Sequence, residues 1–407
     1  MTNEDYIRAH REEDVRRLAL GRVPEGVDRK WCLQQIEGWQ LARRKLPQWA
    51  ATEGVWYPIR LSMEQCSSEL TARYKRELVE RLLPEGQRGA MTDLTGGLGV
   101  DFAQMAPLFD EATYVEILPE LRRLAEHNMP LLMESMRNGE NEKMGRTELR
   151  FASPDIFSLL TLHFSLIYLD PARRDGAGRK TVGIEDCTPN LMEMQDELLS
   201  RAQWVVVKLS PMLDITEALR QLRNVAEVHV MSVKGECKEL LFVMTPEANP
   251  QLAIHCVNLG TDEDAVIMRY GENERMRKPE GMSPSLNYQF LYEPNASVLK
   301  AGVQDVLGER YEVRKLHPQS HLFVGDRWIP HFPGRGFRIV ESSDFSKNGL
   351  KSLLSGLRQA NLTIRNFPTP VVQLRRQLRL AEGGDAYLFA TTQGDGTHVL
   401  IRCEKAN

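Results

Sequence analysis

At 407 residues the chain is long enough for several domains of about 100–200 residues each. Its 42% hydrophobic and 27% charged residues exclude wholesale disorder, and no apolar run reaches the roughly 18 residues of a membrane span. The net charge of −4 is unevenly spread: residues 1–245 hold 32 basic and 38 acidic side chains, residues 246–407 hold 20 and 18. The opening MTNEDYIRAHREEDVRR is too charged for a secretory leader, and the six cysteines stand singly with no CxxC. Together these predict a cytoplasmic chain with reduced thiols and no zinc ribbon.

Residues 1–86 read as helices. QQIEGWQLARRKLP and SSELTARYKRELVERLL place apolar residues three and four apart; Ser67 or Ser68 can cap the second, and Pro84-Glu85-Gly86 ends it. From Met91 short strands alternate with helices: MTDL (91–94), ATYVEI (112–117), ELRFA (148–152), SLIYLD (165–170), WVVVKLS (204–210), EVHVMSV (227–233) and ELLFVMT (239–245). Such alternation predicts an α/β fold, a parallel sheet with helices on both faces. The five residues KGECK are too few for a parallel crossover, so the seventh strand must be antiparallel. Beyond the polar PEANPQ, HCVNLG and AVIMRYG are possible strands, and 262–285 is loop-rich. NYQFLYEPNASVLKAGVQDVLGERYEVRKL reads as strand, helix, strand. After the break PHFPGRG (330–336) comes a second α+β unit: FRIVESS, the helices FSKNGLKSLLSGLRQAN and PVVQLRRQLRL, and the hairpin AYLFATT–HVLIRC.

The sharpest motif is Thr92-Asp93-Leu94-Thr95-Gly96-Gly97-Leu98-Gly99-Val100-Asp101, between the first strand and a helix. Gly97 and Gly99 permit a tight turn with the backbone close to a ligand. The third glycine of GxGxxG is replaced by Phe102, and no Lys-Ser/Thr follows, so the turn is not a phosphate loop. Asp93 and Asp101 flank it and suit a cationic ligand. Glu116, ending the second strand ahead of Ile117, can accept both hydroxyls of a ribose. Asp155, in SPDIF, can accept from an exocyclic amine. Asp170, followed by Pro171, Ala172 and Arg173, closes a buried strand over the crevice. Taken alone, Glu116 or Asp155 would read as a solvated loop acid and Asp170-Pro171 as a simple turn; at successive strand ends they outline one ligand site.

DLTGGLGVD, VEILPE with Asn128, SPDIF, LDPARR and the terminal hairpin resemble the class I S-adenosylmethionine-dependent methyltransferases. The resemblance is specifically to bacterial methyltransferases with a THUMP-like C-terminal domain. EQCSSELTARYK (64–75), LYEPNASVLKAG, SHLF, FPGR, ANLTIRNFP and GGDAYLFATT extend it over nearly the whole chain. It implies a helical N-terminal domain at 1–86 and a seven-stranded Rossmann-like methyltransferase core at 87–246. A ferredoxin-like α+β module would occupy 247–332 and a THUMP-like domain 333–407. The implied cofactor is S-adenosyl-L-methionine, held at its methionine end by Asp93, Thr95, Gly97, Gly99 and Asp101. Glu116 and Ile117 would take its ribose, Asp155 its adenine amine, and the EQCSSE helix start would close over it. Asp170 would sit between cofactor and target, with Asp170, Pro171 and Arg173 as the catalytic group.

The implied activity is direct methyl transfer to a tRNA or rRNA nucleotide. DPARRDG is similar to the DPPR-x-G of pyrimidine-C5 enzymes, but Lys208-Leu209-Ser210-Pro211 lacks their nucleophilic cysteine, so no covalent intermediate is expected. The stacking aromatic of amino-directed DPPY enzymes is replaced by Arg173. The alternatives are a small-molecule or protein substrate, and a non-catalytic RNA-binding protein.

Residues 327–379 hold ten basic side chains against Glu341 and Asp344, a candidate RNA-docking face. Arg365, Arg375, Arg376 and Arg379 are its leading residues, with Arg375 and Arg379 four apart on a helix; pairing with acids elsewhere in the chain is the rival account. The nine histidines show no HxH, HxxxH or HExxH spacing, so no metal site is expected.

Overall fold

The computed structural model describes residues 1–140, 147–152, 161–173, 183–263, 265–269 and 287–406. The chain divides into two units, residues 1–226 with 241–250, and residues 227–240 with 251–407. Among the described residues no helix is long and apolar enough to cross a membrane.

The first unit opens with helices fixed by caps. Asp28 accepts from the Trp31 N–H (3.1 Å) at the start of Arg29–Lys45, and Ser68 accepts from the Thr71 N–H (3.2 Å) at the start of Glu69–Leu82. In the second of these Ala72, Lys75, Leu78 and Val79 are buried, the three-and-four spacing of one helix face. That face therefore carries a cation inward.

Strands β1 (Ala90–Asp93), β2 (Glu111–Val115), β3 (Glu148–Ala152) and β4 (Phe164–Leu169) follow. The two-residue strands β5 (Ala172–Arg173) and β6 (Cys187–Thr188) pair with each other, and β7 (Ala202–Leu209) returns to the main sheet. In this unit the order is β3-β2-β1-β4-β7, with every neighbouring pair parallel. The chain steps outward from β1 to one side and then from β4 to the other. The carboxyl ends of β1 and β4 thus flank the switch point, where open α/β sheets hold ligands.

Strands β8 (Val225–Val233) and β9 (Glu236–Met244) are joined by Lys234 and Gly235 alone, with φ of 50° and 82°. A two-residue connection of this kind closes an antiparallel hairpin. The loop is shorter than the KGECK read from sequence because positive φ at both turn residues lets Glu236 begin the return strand. Residues 227–240 of this hairpin belong with the second unit and Leu241–Met244 with the first.

In the second unit β10 (Ala253–Leu259) runs parallel to β8, and β11 (Val266–Arg269) antiparallel to β10. The remaining strands are β12 (Phe290–Pro294), β13 (Arg314–Lys315), β14 (Phe323–Gly325), β15 (Gly334–Asp344), β16 (Asn361–Arg365), β17 (Ala386–Thr392) and β18 (His398–Lys405). They form one sheet in the order β13-β14-β12-β15-β18-β17-β16, antiparallel except for β16–β17. Side chains alternate across it. Leu388, Ala390 and Leu400 pack with Leu353 and Leu374 of the helices Lys347–Leu353 and Val371–Leu378; Phe389, Val399 and Ile401 join Leu291 and Phe337 in a separate cluster.

Candidate functional site

The turn after β1 is stitched to both neighbouring strands. Leu94 N–H donates to the Tyr168 carbonyl in β4 (3.0 Å), and Gly96 N–H to the Val115 carbonyl in β2 (2.8 Å). A Cβ on Gly96 would stand 2.1 Å from the Tyr114 ring, whose hydroxyl donates to the Gly97 carbonyl (2.6 Å). At Gly97 (φ 58°) a Cβ would meet only the Thr95 carbonyl, at 3.7 Å, so the turn is open on that side. Gly99 (φ 84°) caps the helix Val100–Met105.

Glu116 lies directly across this opening. It is buried and accepts from Gly97 N–H (2.7 Å) through one oxygen and from Leu118 N–H (2.8 Å) through the other. Each oxygen keeps a lone pair for a further donor. Ile117 beside it is 70% exposed, an apolar surface at the lip of the turn. Asp93 is buried behind the turn and accepts from Thr95 N–H (2.9 Å). Burial pushes its carboxyl up to about 8; the Thr95 hydrogen bond opposes this, and the charges of Asp101 and Asp170 add to the rise.

Below the turn runs a chain of alternating charges. Lys75 Nζ donates to Asp101 Oδ1 (2.9 Å), and Ser67 Oγ and the Tyr168 hydroxyl donate to Asp101 Oδ2 (2.8 and 2.7 Å). Lys75 and Lys208 both donate to Ser67 Oγ (3.1 and 3.0 Å). Lys208 Nζ then lies 3.8 Å from Asp101 and 2.5 Å from Asp170 Oδ2. Burial alone would raise the Asp101 carboxyl, but Lys75, Lys208 and the hydrogen bonds outweigh it and hold it well below the usual carboxylate range. At Asp170 desolvation prevails over the pull of Lys208, and its carboxyl is raised. Asp170 N–H donates to Thr95 Oγ1 (2.6 Å), which ties it to the glycine turn.

The structure thus brings Asp93, Thr95, Gly97, Gly99, Asp101, Glu116, Ile117 and Asp170 to the carboxyl ends of β1, β2 and β4, with Pro171 buried next to Asp170. Asp155 and the Arg173 side chain lie outside the described residues. The acid rim read from sequence is only half the picture, because Asp101 points down into Lys75, Ser67 and Tyr168. Ser67 falls in the EQCSSE stretch that the resemblance sets over the cofactor, while Lys75, Tyr168 and Lys208 were missed as site residues. Two of them had a signal: Lys75 shares the apolar face of its helix with Ala72 and Leu78, and Lys208 interrupts the apolar run of β7.

In the second unit the candidate RNA face needs correction. The helix PVVQLRRQLRL stops at Leu378, and Arg379 turns into the left-handed region (φ 55°, ψ 41°), so Arg375 and Arg379 share no helix face. Arg375 is committed to the fold, donating to the carbonyls of Ala360 (2.9 Å) and Ala381 (3.1 Å). Arg365 and Arg335 both pair with buried Glu293, Arg338 with Glu404, and Arg327 with Glu312. Lys347, Lys351, Arg358, Arg376 and Arg379 are exposed.

Spacing along the chain also conceals one histidine group. Glu227 and His229 of β8 and His255 of β10 bring ligand atoms within 4.8 Å, since His229 and His255 are register partners. Glu227 hydrogen-bonds His229 (2.8 Å), and the two rings stack at 4.4 Å and 16°. Their in-plane lone pairs therefore run side by side rather than converging.

Residues 290–333 match a ferredoxin-like domain family, and residues 334–405 match the THUMP domain-like family. A crystal structure from Porphyromonas gingivalis W83, described as that of a methyltransferase, is 33% identical; the match covers 100% of this chain and 98% of that one, with a TM-score of 0.83. Two proteins of Mycobacterium tuberculosis, from strains CDC 1551 and H37Rv, are each named an uncharacterised S-adenosylmethionine-dependent methyltransferase. Each is 26% identical over 339 residues, 83% of this chain and 84% of theirs.

Proposed function

Because the chain belongs to the S-adenosylmethionine-dependent methyltransferases and takes S-adenosylmethionine as its cofactor, we propose that it methylates a nucleotide of tRNA or rRNA by direct transfer. The observation that carries the RNA reading is the THUMP-like domain at 334–405, on the same chain as the transfer site. Its exposed Lys347, Lys351, Arg358, Arg376 and Arg379 add a surface suited to phosphates. In this reading the protein is cytoplasmic and keeps the four-part division 1–86, 87–246, 247–332 and 333–407.

The donor set fits the cofactor. The open side of Gly97 leaves room a Cβ would fill, and buried Asp93, short of a cation, gains one from the positively charged methionine end. Asp93, Thr95, Gly97 and Gly99 line that end, with Asp101 fixed beneath them by Lys75. Glu116 accepts the ribose hydroxyls through its remaining lone pairs, Ile117 covers the adjoining ring, and Asp155 accepts from the adenine amine. The cofactor supplies a methyl group on a positively charged sulfur. Asp170 receives the proton of the attacking atom, Pro171 holds it at the strand end, and Arg173 reaches the target. Proximity and alignment do the remaining work.

The test is transfer of labelled methyl from the cofactor by the purified chain into total RNA from a strain lacking it. Label in RNA is expected. Label found only in the protein or small-molecule fraction, with none in RNA, overturns the RNA reading.

A further inference from the structure

Asp170 and Lys208 occupy the carboxyl ends of β4 and β7, which are register partners up to Leu169 and Val207. Their charged atoms are 2.5 Å apart, and Ser67 and Asp101 hold the far side of the ammonium. The pair presents one acceptor and one donor to whatever atom receives the methyl group. An exocyclic amine matches it poorly. Such a nitrogen offers two N–H donors and a single lone pair, and that lone pair must make the attack, so an ammonium beside it has nothing to donate to. A hydroxyl matches both partners: it donates its proton to the carboxylate and accepts from the ammonium through a second lone pair, leaving the first to attack. The charges point the same way. An oxygen nucleophile becomes negative as its proton leaves, and a fixed cation stabilises that change; an amine losing a proton after attack passes from positive to neutral and gains nothing from one. Moreover, the position that holds the stacking aromatic in amino-directed enzymes is Arg173, so no aromatic ring stands there for a flipped base to stack on.

Resting on the RNA reading above, we propose that Lys208 is a further catalytic residue and that the acceptor is a ribose 2′-hydroxyl rather than a base nitrogen. The hydroxyl oxygen bonds the methyl carbon as the carbon–sulfur bond breaks. The hydroxyl proton passes to Asp170, and the electron pair of the broken bond stays on sulfur, giving the neutral thioether product. Lys208 keeps its protons throughout and stabilises the oxygen as its charge develops. Asp170 later returns its proton to water. The raised carboxyl of Asp170 makes it a better base than a solvated aspartate.

The experiment uses the full chain, labelled cofactor and RNA from the deletion strain, followed by alkaline hydrolysis and nucleoside mass spectrometry. A methyl group on the 2′-oxygen blocks alkaline cleavage of the adjacent phosphodiester, so label should appear in alkali-resistant dinucleotides and in ribose-methylated nucleosides. Lys208→Met should slow transfer by roughly 100-fold or more, and Lys208→Arg, which keeps a donor and a charge, should recover part of the rate. S-adenosylhomocysteine affinity, read by calorimetry, should fall far less than the rate in both variants, because Lys75 still holds Asp101 beneath the cofactor turn. Label in base-methylated nucleosides of RNA overturns the hydroxyl assignment and leaves the RNA reading standing; label absent from RNA overturns the RNA reading itself. An unchanged rate in Lys208→Met removes Lys208 from the reaction. Loss of product affinity matching the loss of rate in both variants makes it a structural residue.

Discussion

Lys75 and Asp101 in the first unit meet with 1% and 9% of their side chains exposed, whereas Arg327 and Glu312 in the second meet with 77% and 73% exposed. The two pairs look alike in a drawing and differ in physics. Water screens the second, and such pairs contribute about 0–1 kcal/mol. The first is held where neither charge has another solvent, so its geometry is fixed by the absence of alternatives. In the first unit, paired charge builds a site: Lys75 settles Asp101, and the same network sets Lys208 against Asp170. In the second unit pairing neutralises charge at the surface. Half of the ten cations of residues 327–379 are engaged by acids or by backbone carbonyls, and Lys347, Lys351, Arg358, Arg376 and Arg379 make up the exposed remainder.

The largest effect that could break this contrast is at Lys75. Lys75→Met should destabilise the protein by about 3–5 kcal/mol, the cost of stranding a buried charge. Lys75→Met with Asp101→Leu should recover much of that loss, since Ser67 keeps Lys208 as its partner. Urea unfolding of both variants measures it; a single-variant loss below about 1 kcal/mol would make the buried pair no different from a surface one. A smaller effect is expected at Glu116. Glu116→Ala should weaken cofactor binding by about 1–3 kcal/mol through the lost charge-assisted hydrogen bonds. Calorimetry on a variant with an unchanged melting temperature checks this, and equal affinity would place the ribose elsewhere.

The sequence made the first of these regions far more readable than the second. Strand ends, the glycine turn and the acids Asp93, Glu116 and Asp170 follow from local pattern, because each lies next to the apolar run that positions it. Lys208 lay in plain view after WVVV, yet its role depends on Asp170, 38 positions earlier along the chain and adjacent only once β4 and β7 pair. Tyr168 is less legible still; nothing local distinguishes a strand tyrosine that will meet a buried aspartate. In the second unit the local surplus of basic residues was misleading for the same reason. Glu293 and Glu404 lie outside the 327–379 segment but become its neighbours through the pairing of β15 with β12 and β18. Arg375 and Arg379 show a subtler failure. Their spacing is helical, but a helix ends where its backbone turns left-handed, and Arg379 is where that happens.

The smallest predicted effect sharpens the contrast within one short helix. Arg376 and Arg379 are exposed, whereas neighbouring Arg375 donates to two carbonyls that close the loop around Ala381. If the exposed cations touch RNA phosphates, each contributes little affinity but a definite share of the salt dependence, about 0.7 in the slope of log affinity against log salt per single-strand contact. Arg376→Gln with Arg379→Gln should therefore flatten that slope by about 1.4, with thermal stability and cofactor affinity unchanged. Arg375→Gln should do the reverse. Its slope should match the parent's, while the melting temperature drops, because the carbonyls of buried Ala360 and of Ala381 lose a charged donor and have only a shorter neutral amide to replace it. Titrating labelled RNA against the three proteins at several salt concentrations separates the cases. A slope that changes with Arg375 and not with Arg376 and Arg379 would mean that the structural arginine is also the docking one. The division between charges that build and charges that bind would then not hold in this domain.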